Sequence, residues 1–81
     1  MFDPEQFVKD RNEAFVELVM HDNIDAMKVY MDKYGIQMPK RKAILLGGVY
    51  KAVQEVTNIP QEVKDVARKK CEALGLRPTM F

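Results

Sequence analysis

Residues 39–57 read PKRKAILLGGVYKAVQEVT, the longest apolar-rich segment of an 81-residue chain, with a glycine pair at its centre. At a period of 3.6, Leu46, Val49, Val53 and Val56 fall on one stripe. Ile44, Leu45, Tyr50 and Ala52 widen it on both sides, which predicts a helix from Pro39 to Thr57 buried against more than one neighbour. Gly47 and Gly48 each cost about 1 kcal/mol relative to alanine inside a helix. Small residues four apart, Ala43 with Gly47 and Gly48 with Ala52, suggest what offsets that cost: a flat groove for a closely crossing helix, or a mild kink. The competing reading makes AILL and VYKAV two strands joined at Gly-Gly. Neither run alternates cleanly, and the flanking lysines and glutamate favour the helix. A phosphate loop would need further spaced glycines and a Lys-Ser/Thr pair.

Upstream, Asp3, Pro4 and Gln6 form a helix start of N-cap, proline at the first helical position and glutamine three residues after the cap. A first helix is expected from Pro4 to about Met20, with Phe7, Val8, Ala14, Phe15, Leu18 and Val19 inward and Lys9, Asp10, Glu13 and Glu17 wet. Asp22 is read as the cap of a second helix with inner residues Met27, Tyr30, Met31 and Tyr34. Gly35 should end it, with Ile36 set against Met31.

Downstream, Pro60 opens a fourth helix, and Ile59 is a poor cap for it. Val63, Val66, Ala67, Cys71 and Leu74 give its inward face. Gly75 stops it, with Leu76 placed to touch Cys71. The expected fold is all-α, a compact bundle of four short helices in a single domain over residues 1–76, followed by a 77–81 tail.

Composition sets limits on function. A chain 47% apolar and 31% charged is that of a globular domain rather than a disordered one. A core this small leaves little surplus stability, and self-association into a homodimer is one ordinary remedy. The absence of a long apolar run or a signal-like opening gives no expectation of a membrane role, and one cysteine fits a reducing, cytoplasmic setting. The net charge of +1 conceals a division. Residues 1–38 carry four Lys or Arg against eight Asp or Glu, a net of −4, whereas residues 39–81 carry nine against four, a net of +5.

No serine exists to act as a nucleophile, and Cys71 with His21 is the one thiol–base pair the composition allows. Cys71 lies on an apolar helix face, where a thiol is ordinarily core. His21 with Asp22 and Asp25 is half a metal site with nothing to complete it. Glu13 and Glu17 lie one turn apart, without a sign of burial. No enzyme, metal or cofactor is expected.

Two surfaces remain. Tyr30, Tyr34, Gly47, Gly48 and Tyr50, joined by Met20, Met27, Met31 and Met38, are the candidate contact surface for a protein partner or a second copy. Lys40, Arg41 and Lys42, with Arg68, Lys69 and Lys70, are the candidate nucleic-acid contacts. The second helix, turn and third helix also echo a helix-turn-helix, with Tyr34-Gly35-Ile36 as the turn and Ile44 at an inward position of the following helix. Met31, Pro39 and Arg41 stand where that motif wants other residues.

Arg11-Asn12-Glu13-Ala14-Phe15, Tyr30-Met31, Lys33-Tyr34-Gly35-Ile36, Met38-Pro39 and Gly48-Val49-Tyr50-Lys51-Ala52 together resemble small helical proteins encoded by prophages and mobile elements of Gram-positive bacteria. The resemblance spans about residues 11 to 75. It implies a phage accessory protein that acts on a host or viral protein, and no known activity. The family pattern is more acidic after the Met-Pro pair and aromatic near Leu46, so Lys40-Arg41-Lys42 departs from it.

Overall fold

Asp3 caps the first helix as its position dictates: its Oδ1 accepts from the backbone N–H groups of Glu5 (3.0 Å) and Gln6 (3.3 Å). Behind that cap the computed structural model, which describes residues 2–75, places four helices. They are α1 (Pro4–His21), α2 (Ile24–Lys33), α3 (Lys42–Glu55) and α4 (Gln61–Ala73). The chain is all-α, with no strand among the described residues. It divides into two compact units, residues 1–38 and 39–81. The dividing peptide is the one at which the net charge changes from −4 to +5.

In the first unit α1 and α2 pack together across a two-residue link. Asp22 takes a left-handed conformation (φ 53°), and its N–H reaches Leu18 O at 3.0 Å while Asn23 N–H reaches Glu17 O at 3.3 Å. Asp22 therefore closes α1 rather than opening α2, a correction to the expected cap. Asn23 opens α2, its side chain accepting from Ala26 N–H at 3.2 Å. Both residue types cap helices, and both tolerate the left-handed region better than most side chains. Gly35 (φ 65°) ends α2 as expected, and Ile36 N–H bonds Met31 O at 2.8 Å. Ala14, Phe15, Leu18 and Val19 from α1 and Met27, Tyr30 and Met31 from α2 are buried.

In the second unit α3 packs on α4 across the link Val56–Pro60. The helix runs unbroken through Gly47 and Gly48, so the strand alternative is excluded. Its start lies at Lys42, not Pro39, and no side chain caps it. Leu45, Val49, Tyr50 and Val53, all among the residues expected inward, are buried, whereas Leu46 and Val56 are half-buried and Ile44 is 57% exposed. On α4, Val63, Ala67 and Cys71 are buried as expected. Leu74, expected inward, is 45% exposed at the C-cap of α4. Gly75 has the predicted positive φ of 75°, while Leu76 and the 77–81 tail lie outside the described residues.

The glycine pair holds one surprise. A Cβ built on Gly48 meets nothing within 4 Å, so no neighbour makes use of the missing side chain. Gly48→Ala should then stabilise the chain by about 0.5–1 kcal/mol, seen as a higher urea midpoint at unchanged slope.

Candidate functional site

The first unit concentrates its polar chemistry on Asp10. Lys33 Nζ lies 2.7 Å from Asp10 Oδ2, and Tyr34 Oη donates to the same oxygen at 2.6 Å. Gln6 Nε2 donates to Oδ1 at 2.9 Å. Lys33, then Tyr34, then Gln6 hold the carboxyl at about 2, well below its ordinary 3.8. The same hydrogen bonds push Lys33 and Tyr34 up from their usual values. Phe7 stacks edge-on against Tyr34 at 4.8 Å and lies 5.7 Å from Tyr30, and Phe2 closes on Phe7 at 5.6 Å. Polar and aromatic contacts thus tie the start of α1 to the end of α2, which fixes the two helices as antiparallel.

This tie has a pH signature. A depressed carboxyl stabilises the fold above its unfolded value and loses that contribution as pH falls through the folded one. Thermal melts should fall between about pH 4 and pH 2, and Asp10→Asn should flatten that fall.

Beside the tie lies a groove of about 350 Å³ between α1 and α2. Asp10, Glu13, Ala14 and Glu17 line one wall, and Ala26, Val29, Tyr30 and Lys33 the other. Each set spans two helical turns on one face, at positions i, i+3, i+4 and i+7. Val29 is 69% exposed, the largest exposure among the described large hydrophobic side chains. Glu13 is exposed; Glu17 is half-buried and accepts from Asn23 Nδ2 at 3.5 Å.

The sequence-derived contact surface fares differently. Tyr30 (8% exposed), Tyr50 (3%) and Gly47 are buried, as are Met27 and Met31, so these residues serve as core, as their inward helix positions imply, and do not present a contact surface. Tyr34 is half-buried and bound to Asp10, Gly48 is exposed, and Met20 and Met38 are half-buried. The groove, Val29 and the Asp10 tie were missed. Nothing within a short window signals them, since Asp10 and its α2 partners lie 23 and 24 residues apart.

Of the six candidate nucleic-acid contacts, Lys40, Arg41, Lys42, Arg68 and Lys69 are exposed and Lys70 is half-buried. A five-residue link between packed helices makes α3 and α4 antiparallel, so the start of α3 and the end of α4 share one end of the hairpin. The helix-turn-helix echo fails. Residues 34–41 separate α2 from α3, against the three or four of that motif's turn.

His21 is exposed at the end of α1, and Cys71 is buried within α4. Among the described residues no charged side chain is buried, no group of three His, Cys, Asp or Glu is placed to hold a metal, and no helix is long and apolar enough to cross a membrane. No protein-family model matches the chain, and neither a curated protein nor a solved structure is significantly similar to it.

Proposed function

We propose that the chain is a small non-enzymatic interaction protein whose α1–α2 hairpin receives a segment of a protein partner. The observation that carries this is the open groove with Val29 at its edge, a large aliphatic side chain exposed above an apolar floor of Ala14, Ala26 and Tyr30. Two antiparallel helices with matched stripes form the usual seat for a third helix. The phage-accessory setting implied by the sequence resemblance agrees with a binding role, and the single cysteine with a cytoplasmic one.

A photo-crosslinking residue at position 29 tests the reading in native host extract. Discrete adducts should form that excess unlabelled chain competes away and the Val29→Gln chain does not. An adduct of twice the chain mass would identify a second copy as the occupant. Adducts indifferent to the Val29→Gln competitor would overturn the reading.

A second reading, nucleic-acid binding, is favoured by five exposed cations on the α3–α4 hairpin, three at the start of α3 and two in the later half of α4. Fluorescence anisotropy on labelled DNA and RNA at low salt tests it. Binding should weaken steeply with added salt, and in Arg41→Glu and Arg68→Glu chains.

A further inference from the structure

We infer that the α1–α2 groove is built for a cationic amphipathic helix, a class of partner set by the charges along both of its rims. This rests on the reading of the groove as a protein-docking site and names what docks. On the α1 side, Glu13 and Glu17 follow one another by a single turn, with Ala14 between them on the floor. On the α2 side, Asp25 and Asp32 stand four residues before and three after Val29, both exposed, and therefore flank it on the same helix face. Carboxylates thus border the apolar strip on both sides, although on the α2 side the exposed Lys28 stands one turn from both aspartates, which leaves that rim one net negative charge.

The two other charged residues of the lining leave this sign unchanged. Asp10 and Lys33 satisfy each other at 2.7 Å, and Asp10 is further held by Tyr34 and Gln6. An acidic helix would meet repulsion along both rims. A neutral one would gain nothing from the rim carboxylates. A helix with apolar residues at i, i+3 or i+4, and i+7, flanked by Lys or Arg, satisfies both the strip and its borders. Each wall covers seven residue steps, roughly 10 Å of helix, so about two turns of the partner engage.

The test uses the full chain and three fluorescein-labelled helical peptides of identical leucine pattern, whose polar positions are all Lys, all Gln or all Glu. Anisotropy should show the Lys peptide binding, with the Glu peptide weaker by about tenfold or more. Glu13→Lys combined with Glu17→Lys should weaken the Lys peptide about tenfold and strengthen the Glu peptide. Val29→Gln should weaken the Lys and Gln peptides alike. These three side chains are exposed or half-buried, and far-UV circular dichroism of each variant confirms that the helices persist. If the Gln peptide binds as tightly as the Lys peptide, and both depend on Val29, the docking reading stands and the cationic class falls. If no peptide's binding depends on Val29, both fall. A Val29-dependent dimer in sedimentation would assign the groove to a second copy and overturn the cationic helix.

Discussion

Leu18→Ala should remove about 3 kcal/mol of stability, the middle of the range for truncating a fully buried leucine. For a chain of this size the thermal midpoint should drop by roughly 12–24 °C. Leu18 has no exposed surface and lies midway along the buried stripe of α1, between Phe15 and Val19. Ala14 is already small, so the void cannot be refilled from its own face of the helix. Total stabilities of small domains are of order 5–15 kcal/mol, so one such cavity takes a large share of the margin. Glu13→Ala on the exposed side should move the midpoint by no more than about 0.5 kcal/mol equivalent. Circular dichroism melts of the two variants check the pair, and equal shifts would mean that α1 does not bury the face described.

Ile59→Ala should cost nearly as much, about 3 kcal/mol, from a residue outside any helix. Ile59 is 4% exposed, one residue before the Pro60 cap of α4 and four before the buried Val63. Ile59→Ser separates two accounts of this position. If residue 59 were the cap, serine would improve it and raise stability by about 1 kcal/mol. Because Pro60 holds the cap position and Ile59 is buried, serine should instead destabilise at least as much as alanine does. Asn58→Ser, at the exposed neighbour, should stay within about 0.5 kcal/mol of the parent. Urea titrations of the three variants decide between the accounts.

Ile59 also illustrates what could be read from residue order. A cap preference is local, so the sequence reading weighed isoleucine by its poor capping and missed its burial. Local signals elsewhere worked well. The Asp3-Pro4-Gln6 start, the left-handed Gly35 with Ile36 bonded back to Met31, and the stop at Gly75 each depend on neighbours a few residues away. Helical continuity through Gly47-Gly48 was likewise legible, because the surrounding periodicity outweighs two glycines. The share of burial among neighbouring residues of α3 was not. Ile44, Leu45 and Leu46 are all apolar, and only packing determines which of them faces inward. The candidate site was least legible of all. Tyr30 and Tyr50 look like binding residues and like core residues in equal measure, and burial places them with the core. The Asp10 cluster and the groove beside it depend on how α2 is set against α1, which no stretch of either helix specifies alone.

The α1–α2 hairpin is closed at one end by the Asp22-Asn23 link and clasped at the other by Asp10 with Lys33 and Tyr34. Two helices braced at both extremities hold a fixed spacing along the length between. A visitor to that span finds its berth already shaped, so the loss of freedom on binding falls chiefly on the visitor. Loosening the clasp with Asp10→Asn would widen the fluctuations of a surface that Asp10 borders at one corner only, and its effect on affinity would appear mainly as faster dissociation.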